Sequence, residues 1–338
     1  MRIGSFFAAA LGAVALVAAA AASEVNLYSA RHYDSDQAIF DLFTKTTGIK
    51  VNKLEADADK LVERLKAEGA NSPADVLITV DAGRLWRAKD AGLLQRIQSP
   101  QLEKAIPAHL QDPDGQWWAF TKRVRAIAYS RERVKPAELP TYEGLADPKW
   151  KGKLLIRSSN HIYNQSLVGS LVAAHGEAWT EGWIKGVVGN LARSPKGGDT
   201  DQIRAVAAGE GDLAVVNHYY YAALLKSQKP EDQAVAAKVG LFFPNQGDRG
   251  AHINVSGAGV LKSAPHAAAA VKFIEFLVSP QAQALLFEGN PEYPVVAGVA
   301  LPPVLQQLGS FSEDKLNPAV FGRNNGEALK LADRGGWR

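Results

Sequence analysis

The sequence predicts an α/β protein of two lobes with a ligand cleft between them, and three observations carry that prediction. Short apolar strands alternate with amphipathic helices from Ser23 to about Leu94. A second unit of the same kind runs from Lys153 to about Phe243. Two longer extended stretches, residues 117–129 and 251–261, are placed to pass between the units. Strand and helix alternation with short connections implies mixed, mostly parallel sheets flanked by helices.

In the first unit, Val25-Asn-Leu-Tyr28 reads as a strand, and Ala38, Ile39, Leu42 and Phe43 recur at helical spacing until Gly48 stops the helix. Residues 49–54 form the next strand, followed by a helix with Leu61, Val62 and Leu65 on one face that ends near Gly69. Ala74-Asp-Val-Leu-Ile-Thr79 is a third strand, and Leu85, Trp86 and Ala91 lie on a helix ending at Gly92. In the second unit the strands are residues 154–156 and 213–216, with a helical stretch through residues 165–191. A helix carrying Val271, Phe273, Ile274 and Leu277 follows the second crossing strand and stops at Pro280. The expected division is a first lobe of residues 23–122 with about 252–298, and a second of 123–251 with about 299–338.

Residues 1–22 read as a cleaved export signal, with Arg2, an apolar alanine-rich middle and an Ala20-Ala21-Ala22 end before Ser23. No other stretch is long and apolar enough to span a bilayer, so the mature chain is expected to be a monomer in the periplasm, without membrane insertion. The absence of cysteine excludes disulfides, thiolate metal sites, thiol nucleophiles and a lipidated anchor. With 38 basic against 35 acidic residues and no long basic run, there is no footprint for nucleic acid.

The chemistry gathers where strands give way to helices. Tyr219, Tyr220 and Tyr221 follow the strand at 213–216, Tyr163 follows the strand at 154–156, and Tyr33 follows the strand at 25–28. An open sheet presents ligands at such carboxyl ends. A lone tyrosine there is more often a packing residue, and Tyr221, with an aliphatic helix after it, reads that way. Tyr33, Tyr163, Tyr219 and Tyr220 come from three separate connections, and a cluster of phenols suits a hard trivalent cation such as Fe³⁺, which prefers anionic oxygen donors. A phenol is protonated below about pH 10, yet a strong Lewis acid expels the proton. Four phenolates around Fe³⁺ leave one net negative charge, for which Arg31, Arg123, Arg125 and Arg157 are the cations at hand. The histidines at 161 and 218 read as surface or loop residues.

Several stretches then resemble the periplasmic ferric-iron-binding proteins that feed ATP-driven (ABC) iron permeases, a branch of the type II periplasmic binding proteins. They are Leu27-Tyr-Ser-Ala-Arg-His-Tyr33, Ser72-Pro-Ala-Asp-Val76, Ala91-Gly-Leu-Leu94, Arg123-Val-Arg125, Asp147-Pro-Lys-Trp-Lys-Gly-Lys153, Ile156-Arg-Ser-Ser-Asn-His-Ile-Tyr-Asn-Gln165 and Asn217-His-Tyr-Tyr220. The resemblance implies iron ligation by Tyr219, Tyr220 and Tyr163 from one lobe and Tyr33 from the other, with His32 at the place of a histidine that ligates iron in some members and stands outside the ligand set in others. Arg123 matches an arginine that holds a synergistic anion, such as carbonate, in parts of the family, with Arg125 and Arg31 beside it. Val80 stands where one branch of the family carries a glutamate ligand, which favours the tyrosine-rich site.

Three other readings belong beside this one. The same scaffold carries other solutes, such as polyamines, thiamine or phosphonates, with the paired tyrosines as a stacking wall. Fe²⁺ is a second possible cargo. A periplasmic metalloenzyme is disfavoured, because the chain lacks His-Glu-x-x-His, a Gly-x-Ser-x-Gly elbow and a phosphate-binding loop.

Overall fold

The computed structural model describes residues 24–338, so the expected export signal lies outside the described residues. Nine strands occur among them: β1 (Glu24–Ser29), β2 (Lys50–Glu55), β3 (Val76–Val80), β4 (Trp118–Ser130), β5 (Leu154–Leu155), β6 (Leu213–Asn217), β7 (Val239–Phe242), β8 (Ile253–Val260) and β9 (Tyr293–Pro294). Their order is β2-β1-β3-β8-β4-β6-β5, with β7 and β9 also pairing with β4. β1 is parallel to β2 and β3, and β5 is parallel to β6; β8 runs antiparallel to β3 and β4, and β6, β7 and β9 run antiparallel to β4.

β4 makes two lobes out of one sheet. Its first half pairs with β8 as far as Val124↔Ile253, and its second half pairs with β6 from Arg125↔Asn217 onward. Thirteen residues at about 3.3 Å each make a strand long enough to serve both lobes. Both of its faces are buried almost throughout, with apolar residues at its two ends and Thr121, Lys122, Arg123 and Arg125 at its centre, where the lobes meet.

One core joins β1, β3, β8 and the first half of β4 to surrounding helices through Leu27, Phe43, Leu77, Phe120 and Phe273. The second lobe has a core on each sheet face, one around Ile127, Leu167, Ile184 and Trp337 and the other around Ala128, Ile203, Val216 and Tyr221. Leu301, Leu305 and Phe311, from the segment expected with the second lobe, pack on the first core. The helix Pro318–Arg334 bridges the two, placing Phe321 in the first core and Ala328 and Leu331 in the second. Gly83 permits that bridge, because a Cβ there would sit 1.8 Å from the Asn325 side chain.

The helical stretch at 165–191 is two helices, Ile162–His175 and Glu177–Asn190, broken at Gly176 with φ 82°. Strands β7 and β9 and the helices Asp199–Ala208, Pro230–Lys238 and Pro318–Arg334 are additions to the sequence reading. Among the described residues no helix is long and apolar enough to cross a membrane.

Candidate metal centre

Two helix N-termini supply the centre. Tyr163 is the second residue of the helix Ile162–His175, whose cap is His161, with Nδ1 accepting from the Tyr163 N–H at 3.4 Å. Tyr219 and Tyr220 open the helix His218–Lys226 directly after β6. The Tyr163 and Tyr219 hydroxyls meet at 3.0 Å, and the Tyr219 and Tyr220 rings lie 4.3 Å apart. Backbone N–H groups at a helix start favour negative charge, so both peptide segments are suited to carrying phenolates.

Tyr33 comes from the loop after β1, and its ring lies 4.7 Å from the Arg31 guanidinium. Burial raises its pKa above the ordinary phenol value; Glu292 and Tyr163 add to the rise while Arg31 and Arg123 oppose it. Burial likewise raises Tyr219 and Tyr220, with Tyr163 adding to both. Without a cation these hydroxyls are protonated.

Arg123 lies beside the phenols, its guanidinium 5.7 Å from the Tyr163 ring. It is 1% exposed, and its Nη2 donates to the Val255 carbonyl at 2.5 Å and to Ser256 at 3.2 Å. Its Nε and Nη1 are buried and have no protein acceptor. Burial opposes its charge, but Glu292, the Tyr163 and Tyr219 phenols and Asp81 hold it firmly protonated. A buried guanidinium with two unmatched donors fits a site that acquires negative charge.

The other expected residues have different surroundings. His32 is not gathered with the phenols: its side chain is 58% exposed and Nδ1 lies 3.0 Å from Glu55. It follows a strand end on the solvent side, and Glu55 at the end of β2 holds it there. Arg31 is buried on Asp36 at 2.8 Å and Glu292 at 3.3 Å. Arg125 is engaged by Asp199 at 2.5 Å and Asn164 at 2.8 Å.

His218 is fully buried rather than a surface histidine: Nδ1 accepts from the Val124 N–H at 3.1 Å, Nε2 reaches the Pro291 carbonyl at 2.9 Å, and the ring stacks on Tyr293 at 4.6 Å. His161, the helix cap, is also partly buried. Tyr221 is 2% exposed and bonds the Val239 carbonyl at 2.8 Å, in the second lobe's core.

Sequence reasoning missed Glu292, fully buried beneath Arg31 and Arg123 and hydrogen-bonded by Thr121 and Ser256. It also missed Asp81, which is buried at φ 80° and caps the helix Ala82–Asp90. No local pattern marks Glu292, whose partners are distant in sequence, and at Asp81 the only local signal is that of a helix cap. Among the described residues no group of three or more His, Cys, Asp or Glu side chains is placed to hold a metal. The phenols are therefore the donor set that distinguishes this cleft. The space bordered by Asp81, Arg125, Tyr163, Asn217, His252 and Asn254 is too narrow to admit water.

Two lobes served by a shared strand, closed over a buried polar site, define a solute-binding protein with the fold of the periplasmic binding proteins. The chain belongs to the bacterial extracellular solute-binding protein family, whose profile matches residues 71–309. It is 55% identical to iron uptake protein A1 of Synechocystis over 315 residues, spanning 93% of this chain and 88% of that one. The major ferric iron-binding protein of Neisseria meningitidis is 31% identical over 97% of this chain and 98% of its own. The structure of Trichodesmium FutA (IdiA) in complex with iron and citrate superposes with a TM-score of 0.91 at 59% identity, covering 93% of this chain and all of that one. These relatives bind or take up iron, and the chain is a binding protein and not an enzyme.

Proposed function

We propose that this protein binds Fe³⁺ in the periplasm through the phenolates of Tyr33, Tyr163, Tyr219 and Tyr220 and delivers it to an ABC permease. The observation that carries the reading is the 3.0 Å contact between the Tyr163 and Tyr219 hydroxyls, from two different helix starts, beside a buried Arg123 with two unmatched donors. Fe³⁺ is the cargo whose hardness matches such a cluster of phenols. Iron replaces the phenolic protons, and Arg123 balances the net negative charge of four phenolates on a trivalent ion. His32, paired with Glu55 at the surface, stays outside this ligand set.

Arg123 is also the group that would receive a synergistic anion such as carbonate. The relatives named for ferric iron or iron uptake support this cargo over a polyamine or a phosphonate. A cationic amine would need free carboxylates, whereas Glu292 and Asp81 are already engaged by Arg31, Thr121, Ser256, Ser166 and Asn254. Metal analysis of protein purified without chelators, followed by titration of stripped protein with ferric citrate, tests the reading. One iron per chain is expected; no iron uptake, or equal uptake after Tyr163→Phe and Tyr219→Phe together, overturns it.

A further inference from the structure

Arg125 occupies the point where the second lobe's two tyrosine-bearing helices are tied to the crossing strand. It is 2% exposed, at the first residue where β4 turns from β8 to β6. One arm of its guanidinium, Nη1, donates to Asp199 at 2.5 Å and to Asn217 at 3.2 Å; the other, Nη2, donates to Asn164 at 2.8 Å. Asn164 directly follows Tyr163, and Asn217 lies two residues before Tyr219.

The acceptors are themselves held. Asn164 donates to the carbonyls of Arg157 and Ser158 at 2.9 and 3.1 Å, which fixes the loop before the Tyr163 helix. Asp199 is fully buried and accepts the Asn217 backbone N–H at 2.7 Å, which fixes the start of the Tyr219 helix. A planar fork with two differently directed arms therefore sets two chain segments relative to each other, a geometry that a lysine cannot reproduce.

We propose that Arg125 is a positioning residue that presets the phenols of Tyr163, Tyr219 and Tyr220 as a half-site before the cargo arrives, rather than an anion-binding group. Both Nη atoms are already committed to side chains of this lobe and only Nε is left without an acceptor, whereas Arg123, two residues away, retains both Nε and Nη1 unmatched. The two arginines of one motif thus divide the work. Arg123 faces the charge that develops on the ligands, and Arg125 holds the backbone that carries them. This inference rests on the ferric reading above.

The test compares wild type with Arg125→Lys and Asn164→Ala, each loaded with ferric citrate, by absorbance of the phenolate-to-iron band per bound iron and by the rate of iron release to EDTA. Outer partners of metal ligands are typically worth about 10- to 100-fold in affinity. Release is expected to quicken by that order, with a weakened or shifted band, in apo proteins that retain wild-type circular dichroism. Saturating bicarbonate should leave the defect in place. An unchanged band and release rate in both variants overturns the inference, as does a defect that bicarbonate abolishes. Asn164→Ala keeps the test alive where Arg125→Lys does not fold, because it removes the Nη2 acceptor and the ties to the Arg157 and Ser158 carbonyls while leaving Nη1 on Asp199 and Asn217. A wild type with no visible band overturns the ferric reading and this inference with it; a coloured wild type with unaltered variants overturns this inference alone.

Discussion

The Ser166 hydroxyl, in the second lobe, donates to the Asp81 carboxylate of the first lobe at 2.7 Å. Ser166 is one helical turn beyond Tyr163, so this contact ties the first lobe to the helix that carries a proposed ligand. Asp81 also accepts from the Gly83 N–H at 2.9 Å and from Asn254 at 2.8 Å. Its backbone, at φ 80° and ψ 124°, lies where a non-glycine residue costs on the order of 1–3 kcal/mol. Three donors at one carboxylate hold that conformation.

Ser166→Ala removes the donor that spans the cleft and leaves both lobes intact. A hydrogen bond to an ionised group contributes about 1.5–3 kcal/mol, so iron release to a chelator is expected to quicken by at least about tenfold. Small-angle scattering of the apo variant should show a larger radius of gyration. Unchanged release and unchanged scattering would show that Ser166 has no part in closure.

Glu292→Gln leaves Arg31 and Arg123 buried without their shared carboxylate. Burial favours the neutral acid, but Arg31, Arg123, Thr121 and Ser256 keep Glu292 ionised, with its pKa lowered. Breaking a buried ion pair from one side typically costs about 3–5 kcal/mol. The apo protein's melting temperature should fall by several degrees, as read by calorimetry, and a wild-type melting temperature would contradict the assignment.

Acid acts on the apo fold through three histidines. Burial lowers His218 and His252 to about 3, and burial together with nearby arginines lowers His161 to about 2. In the unfolded chain each protonates near ~6.5. As pH falls, the unfolded state takes up protons first. The histidines' contribution is therefore full above about 6.5 and is lost as pH drops toward 3, at up to about 1.4 kcal/mol per pH unit each. Chemical denaturation between pH 7.5 and 4.5 should show this slope, and His252→Phe should reduce it; an unchanged slope would contradict the buried neutral state.

The phenols give the opposite sign. Tyr33, Tyr219 and Tyr220 have raised values in the fold, so the apo fold keeps protons that the unfolded chain releases above about pH 10. Apo stability should accordingly fall as pH rises beyond that point. Iron loading requires those protons to leave, so affinity should weaken as pH falls, tenfold per pH unit for each phenol that ionises on binding. Titration in a pH-stat should detect protons released with each iron bound; no release would exclude phenolate ligation.

Much of the scaffold was legible locally. Apolar runs mark β1, β3, β6 and β8, an extended stretch with apolar ends marks β4, and Gly48, with φ 73°, ends the first helix where expected. The helix Pro318–Arg334 escaped because Gly322, Asn324, Asn325 and Gly326 interrupt its apolar stripe, and because it is stabilised by packing on both lobes. β9 is two residues long and exists through pairing with Thr121 and Lys122 of β4.

Within the candidate site, the four tyrosines and Arg123 were visible because strand ends and motif strings mark them. His218, Arg125 and Glu292 take their roles from partners 39 to 261 positions away, at Asn164 for Arg125 and Arg31 for Glu292, with Val124 for His218 in between. Such roles are set by topology and leave no periodic trace.

The most direct test of phenolate ligation is the visible spectrum of the ferric-loaded protein, recorded for wild type and for Tyr219→Phe with Tyr220→Phe. Phenolate-to-Fe³⁺ charge transfer should give wild type a visible band that is weakened and shifted in the double variant, which keeps only the Tyr33 and Tyr163 phenols. A colourless loaded wild type, or a band of unchanged position and intensity per bound iron in the double variant, would contradict phenolate ligation by Tyr219 and Tyr220.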